Sequence, residues 1–600
     1  MRQKRVQWPV GFSSCFFLLL FFYLAAGLCQ GQSQGTPWQA ADGQRHILPG
    51  AAKTGEIRED KTVGIFYFLW NSPVSNIAKA PYREGPYDIS DIFQRDPDIM
   101  TKPDSPLWGG NGQFHFWGEP LFGYYRADDP WIMRRHIQLL ADAGVDVLIF
   151  DTTNALTYPE IYLPLCATMM TIRQEGGRTP QITFMLNTQA GATAEKLWRE
   201  IYSTGQYDEL LFKWDGKPLL IADPDAITSA ALKENLTLRK AHWPFEMKNT
   251  HNAWHWEATY PQPYSWSERE DVPEQVNVSV AQNLSRATGA VENMSSGQAR
   301  GRSFCKDQIR IKKNATDQGL NFTEQWRRAL ALSPPFVMIT GWNEWIAGRW
   351  RRGEEYVFVD QFDREYSRDI EPMKGGHFDN YYLLMMAGIR HYKGTPPLPQ
   401  APEPKTIPIN DDFSAWDEVE PCFTDHTGET IPRDFPGVGG THYVNRTGRN
   451  DLLHMKATCD EKNLYFLLET KEELTPDSLD GLCLLINTDG NYHSGWIGGD
   501  WLLGRHYQGN SVSLEKYKPG GKRNSWNWQS GTTVSYCCKG NKLHIAIPMK
   551  DLALRDSAAP LRTISFKWLD NIPETMTLED LYTRGDVAPE SRFFYSFKKQ

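Results

Sequence analysis

Apolar residues along the first two thirds of the chain fall into short solid blocks, and between the blocks they recur at helical spacing. Val63 to Trp70 (VGIFYFLW) is the first block, and Val147–Phe150, Ile182–Leu186 and Pro218–Ala222 follow. A run of four to eight apolar residues rich in β-branched and aromatic types reads as a strand buried on both faces. His251–Pro263 holds a fifth candidate, Val276–Val280 a sixth, Phe336–Ile339 a seventh and Tyr356–Asp360 an eighth. The intervening segments carry helix signals. Asp129-Pro130 opens a helix that runs to Ala143 and stops at Gly144, with a capping Asp and a first-turn Pro. Glu195–Tyr202, Thr323–Leu332 and Phe378–Tyr392 read as further helices.

Strands alternating with helices predict a parallel sheet, and eight of them predict an α/β fold of the (β/α)8 TIM-barrel type. An open doubly wound sheet is the competitor, but no glycine-rich phosphate loop follows the first strand. Gly394–Pro408 (GTPPLPQAPEPKTIP) is rich in proline and reads as a stiff linker. Beyond it the pattern changes to short alternating strands such as Leu464–Glu469 and Leu543–Ile547, which predict a smaller all-β sandwich. The expected domains are therefore 60–394 for the barrel, 395–408 for the linker and 409–600 for the sandwich, after a signal peptide at 1–31.

Arg2, Lys4 and Arg5 precede the apolar run Cys15–Leu28, too short for a comfortable membrane span, so it predicts export with no transmembrane segment retained. Secreted, periplasmic and cell-surface locations all fit. Cys29 offers a lipoprotein anchor, although Leu28 stands where a small residue is wanted. Of the seven cysteines beyond the leader, five lie in the last third, where any disulfides would concentrate. A net charge of -9 without a long basic run excludes nucleic acid as a partner. Aromatic residues make up 13% of the chain, a content suited to presenting rings to carbohydrate, and a polysaccharide or glycan is the partner expected of a monomer.

The seventh block ends abruptly in Thr340-Gly341-Trp342-Asn343-Glu344-Trp345. A carboxylate just after a barrel strand, flanked by an amide and two indoles, can serve as acid, base or nucleophile toward a sugar. Glu344 is the candidate. A second carboxyl must stand across the bond to be cut, and Asp151, delivered by the second strand, is the choice by position. Asp223 and Glu257 are alternatives, and Asp360 ranks lower. Tyr67, Trp70, Trp117, Tyr124, Tyr125, Tyr260, Trp342 and Trp345 are candidate stacking platforms. Asn187, His255, Asn343, Glu119 and Glu257 are candidate hydroxyl-binding groups. No second histidine supports His255 as a ligand, so no catalytic metal is expected. The polar stretch from Ala281 to Lys313 is long enough to form a wall of the cleft.

Four segments carry a resemblance: Gly64–Trp70, His115–Pro120, Ala143–Asp151 and, above all, Trp342-Asn343-Glu344-Trp345. In these the first domain resembles the endo-α-mannosidase-like barrels of glycoside hydrolase families 99 and 71. The resemblance implies a hydrolase of α-linked glycans acting internally, with Glu344 as the first of two catalytic glutamates. Position 347, where that family has its second, is Ala347, so the second role does not carry over. The last domain resembles a family 9 carbohydrate-binding module through Asp411-Asp412-Phe413, Trp416, Asn445–Asp451 and Asn463–Phe466. That likeness implies sugar binding between aromatic rings and a structural calcium as the one ion such a module can hold, with no other cofactor. Trp416, Trp496, Trp501, Trp526 and Trp568 are expected to divide between a binding face and the core.

Overall fold

In the computed structural model, residues 35–71, 86–246, 251–306, 308–309, 314–520, 524–554 and 563–598 are described. The expected signal peptide, with Cys29, lies outside them. Eight parallel strands form the first body: β1 (Thr62–Tyr67), β2 (Val147–Thr152), β3 (Gln181–Leu186), β4 (Lys217–Ile221), β5 (Thr237–His242), β6 (Ala253–His255), β7 (Gln275–Ser279) and β8 (Phe336–Thr340). Their order is β6-β5-β4-β3-β2-β1-β8-β7. Every residue of β1, β7 and β8 is buried, the polar Gln275, Asn277 and Ser279 of β7 included.

The ring closes between β6 and β7 through a side chain. The Gln275 amide accepts from the His255 N–H at 2.9 Å and donates to the His255 carbonyl at 2.9 Å. One glutamine thus replaces a rung of the missing ladder.

Helices α1 (Pro130–Ala143), α2 (Pro159–Gln174), α3 (Ala190–Leu197), α4 (Leu320–Leu332) and α5 (Asn380–Lys393) pack outside. At the start of α1 the Asp129 carboxylate accepts from the Trp131 N–H at 3.0 Å, and at its end Gly144 turns left-handed with φ 83°, as the capping signals predict.

Two strand assignments need correction. Tyr356–Asp360 is not a barrel strand: Glu355–Phe358 pairs antiparallel with Ile346–Arg352, which pairs in turn with Phe114–Phe116. The true additional strand is β5, whose polar sequence TLRKAH hides it. Arg239 within it is buried because Glu274 meets its guanidinium at 2.6 Å and Asp215 meets it at 2.8 Å.

The second body is an antiparallel sheet of eleven strands. It curls until its ends approach, where the Leu452 N–H donates to Asp586 at 2.7 Å and the Tyr595 hydroxyl to the Thr424 carbonyl at 2.9 Å. Trp416, Trp496, Trp501 and Trp568 are all buried, so the expected exposed aromatic face is not formed by them; Trp526 alone of the five is partly open. None of the seven cysteines among the described residues is bonded to another. No described helix is long and apolar enough to cross a membrane.

Candidate active site

Where β8 ends, the chain is pinned to β1. The Asn343 carboxamide accepts from the Phe68 N–H at 2.9 Å and donates to the Phe68 carbonyl at 3.1 Å. Asn71 reaches back to the Asn343 carbonyl at 2.6 Å. These bonds occupy Asn343, so it positions its neighbour instead of binding a sugar hydroxyl. Trp342 and Trp345 are fully buried, and Trp345 stacks on Trp117 with ring centroids 4.4 Å apart. The indoles flanking Glu344 are therefore core, and so is Trp117. Tyr67, Tyr125, His136, Trp345 and Glu371 share a second buried network: Tyr67 meets His136 at 2.9 Å, and Glu371 meets His136 at 3.0 Å and the Tyr125 hydroxyl at 2.7 Å. Tyr124 is tied to Asp88 at 2.9 Å. Tyr67 and Tyr125 are buried and offer no ring face as a platform, whereas Tyr124 is half-buried.

Glu344 itself keeps an opening, with 13% of its side chain exposed. Its N–H donates to Asp369 at 2.6 Å, which fixes the backbone. One carboxylate oxygen accepts from Arg368 at 3.1 Å and from the Gln361 amide at 3.0 Å. Around the same guanidinium stand Glu257 at 3.6 Å and Asp360 at 3.8 Å, and Arg368 lies 4.6 Å above the Trp256 ring. Burial, followed by the charges of Asp360, Asp369 and Asp151 and opposed by Arg368, raises the Glu344 carboxyl to about 8. Burial likewise lifts Glu257 and Asp369 to about 7. The site holds its protons to neutral pH, which suits a general acid.

Asp151 is where β2 should deliver it. It is buried, which raises its pKa, and it accepts from the Trp70 indole at 3.1 Å and from the Thr153 N–H and hydroxyl at 3.0 and 2.8 Å. Trp70 thus orients Asp151 through its ring nitrogen. Asp223 caps a short turn instead of joining the cluster. Asn187 is exposed and lines a separate groove with Asp223 and Lys240, and Glu119 is paired with Lys374. Ala347 is buried against Trp108, Phe358 and Phe362, so the position of the resembled family's second glutamate is an apolar contact here.

Next to Glu257 a cavity of about 520 Å³ is lined by His242, His255, Tyr264, Trp266 and Arg328 among others. Burial lowers His255 to about 3, and its Nε2 has no hydrogen-bond partner among the described residues. A neutral imidazole with a spare nitrogen can donate or accept one further hydrogen bond. Tyr260 is exposed, one residue before Pro261, which lines the cavity.

Sequence reasoning misses Gln361, Arg368 and Asp369. Arg368 and Asp369 lie in FDREYSRDIEP, which reads as a solvated charged loop and which Gln361 immediately precedes, yet Arg368 is 1% exposed and Asp369 fully buried. The wall expected from 281–313 is partly realised: Arg302 from that stretch is buried and donates to the Asp369 carbonyl at 2.7 Å, and the Asn283 N–H holds Glu257 at 2.9 Å.

Away from the mouth, Asp425, Glu429 and Asp586 turn carboxylate oxygens to within 4.8 Å of one another at the junction of the two bodies. One oxygen of each has no hydrogen-bond donor among the described residues. An all-oxygen donor set of this span fits calcium, for which trans ligands stand roughly 4.8 Å apart.

No protein-family model matches the chain, and no curated protein matches it. Two solved structures of a GH99 endo-α-mannosidase from Bacteroides thetaiotaomicron, one with bis-tris propane, are similar at 14% identity. Each likeness covers 55% of this chain and 97% of the other, with TM-scores of 0.32 and 0.33. Scores this low bring nothing of that enzyme's chemistry to this chain.

Proposed function

We propose that the protein is an exported glycoside hydrolase that cleaves α-linked polysaccharide or glycan chains internally, with Glu344 as its essential carboxyl. One observation carries the reading: a glutamate at the C-terminal mouth of a parallel barrel stands with Glu257 and Asp360 around the buried Arg368 while part of its side chain stays open, and burial raises its carboxyl. A carboxylic acid poised in this way can protonate a glycosidic oxygen, a contribution of about 10²–10⁴ in rate. Asp151, oriented by Trp70 and Thr153, adds to the negative field that keeps the proton on Glu344. The α-linkage and internal cleavage rest on the resemblance of the Trp342–Trp345 segment. If the sandwich holds calcium, Asp425, Glu429 and Asp586 are its donors, and the ion ties the two bodies together without entering the reaction.

The test is a product screen of the wild type and Glu344→Gln against α-mannan, α-glucan and pectic polysaccharides. Glu344→Gln is expected to fold and to lose all but about a thousandth of the activity. Full activity in that variant ends the proposal. Ala347 favours a second reading, a glycan-binding protein that has lost hydrolysis; wild-type binding with no bond cleaved across the panel would select it.

A further inference from the structure

Glycoside hydrolysis needs a second carboxylate, and five acids are candidates for facing Glu344 or its guanidinium partner. Four are spoken for or closed off. Asp369 is fully buried and receives the Glu344 N–H at 2.6 Å and the Trp117 indole at 3.2 Å. Asp151 is buried and receives three donors. Glu257 is buried and bonded by the Asn283 N–H. Glu371 belongs to the His136 network. Asp360 differs. Half of its side chain is exposed.

Its position is constrained. Arg368 Nη2 lies 3.1 Å from Glu344 Oε2 and 3.8 Å from Asp360 Oδ1, so those two oxygens stand no more than about 7 Å apart. The charge of Asp360 is felt at Asp151, Glu257, Glu344 and Arg368, and at Glu344 it counts for more than that of either Asp369 or Asp151 taken singly. Asp360 therefore faces the middle of the cluster and also meets water. Asp360 follows by two residues the Glu355–Phe358 arm of the hairpin whose other arm carries the buried Ala347.

We infer that Asp360 is the second catalytic carboxylate, the base that activates water opposite Glu344, while Asp151 acts as a positioning residue. This inference rests on the glycosidase reading above. In the step, Glu344 gives its proton to the glycosidic oxygen as the bond from that oxygen to the anomeric carbon breaks. Water adds to that carbon, and its proton passes to Asp360. The sum is one bond hydrolysed, with Glu344 left as the carboxylate and Asp360 as the acid. Proton exchange with solvent resets both.

The experiment compares the full chain with Asp360→Asn, Asp360→Ala and Asp151→Asn on whichever polysaccharide of the panel the wild type cleaves. For Asp360→Asn, kcat is expected to fall at least about 100-fold with KM within a few-fold and the thermal midpoint unchanged. Removing its charge also moves the alkaline limb of residual activity to lower pH, which a merely structural role would not do. Sodium azide should restore turnover to Asp360→Ala by replacing the activated water, yielding a glycosyl azide. Near-wild-type turnover in Asp360→Asn, or azide rescue confined to an Asp151 variant, overturns the assignment and leaves the role of Glu344 standing. A wild type that cleaves nothing overturns both.

Discussion

Glu344 is held in a costly state, and the cost is measurable. Its folded-state pKa is raised from 4.5 to about 8, mainly by burial. The folded protein therefore keeps a proton that the unfolded chain sheds near pH 4.5. Stability from this group is fully present below that pH and is lost as pH rises through 8. Glu344→Gln is accordingly expected to raise stability at pH 8 by about 1–3 kcal/mol, and to have little effect at pH 4, when activity is gone at both. Urea melts of the two proteins at the two pH values check this. In the wild type the same ionisation makes activity decline above about pH 8, and a pH–rate profile that stays flat to pH 10 would contradict it. At this scale the sequence gives Glu344, Asp151, His255 and Glu257 correctly as polar groups at strand ends. It misleads over Trp342, Trp345 and Trp117, because an indole beside a carboxylate looks the same in sequence whether it packs inward or stacks on a ligand. Arg368 and Asp369 are illegible for the opposite reason. Each is buried only because the others are, and no local pattern encodes that mutual neutralisation.

Among elements, the barrel depends on single side chains where the backbone ladder fails. β6 has three residues, and among the described residues no helix separates it from β5 or β7. Gln275 alone bonds both the N–H and the carbonyl of His255. Gln275→Ala would leave two buried backbone groups unsatisfied, at a cost of about 2–4 kcal/mol. It would also loosen the wall carrying His255 and Glu257, so KM should rise more than kcat falls, as steady-state kinetics beside a denaturant melt would reveal. The expected count of eight strands is right through two compensating errors. Hydrophobic blocks find β1 to β4, β7 and β8, since these strands are buried on both faces. They miss β5, where Arg239 is neutralised by Glu274 from a distant segment, and they promote Tyr356–Val359, whose apolar residues cover the hairpin above the mouth. A period-based reading sees burial and cannot see which partner supplies it.

For the molecule as a whole, the two bodies meet over buried charge. Arg592 from the sheet donates to Asp379 before α5 at 2.8 Å, Arg433 to Asp129 at 2.8 Å, and Arg135 of α1 to Glu590 at 2.8 Å. Replacing Arg592 with Met strands a buried Asp379, at a cost of about 3–5 kcal/mol by denaturant melt. Beside Glu590 sit Asp425, Glu429 and Asp586; burial, followed by the charges of their neighbours, raises the first two well above the usual carboxylate range, and burial lifts Asp586 to about 6 against the hydrogen bonds it receives from Glu429 and the Leu452 N–H. All three are raised in the folded state, so their share of stability is complete below about pH 4 and is lost as pH climbs. Glu590, lowered chiefly by Arg135, acts in the other direction, but it is one group against three. A divalent cation changes the balance, because it binds the deprotonated carboxylates and must displace their protons. About millimolar calcium is therefore expected to raise the thermal midpoint by several degrees at pH 8 and by much less at pH 5.5, with EGTA reversing the gain. In Asp586→Asn the calcium response should disappear while the melt becomes less sensitive to pH. If calcium and EGTA leave the pH 8 midpoint unmoved, the three carboxyls share protons alone, and the junction is held by its arginines.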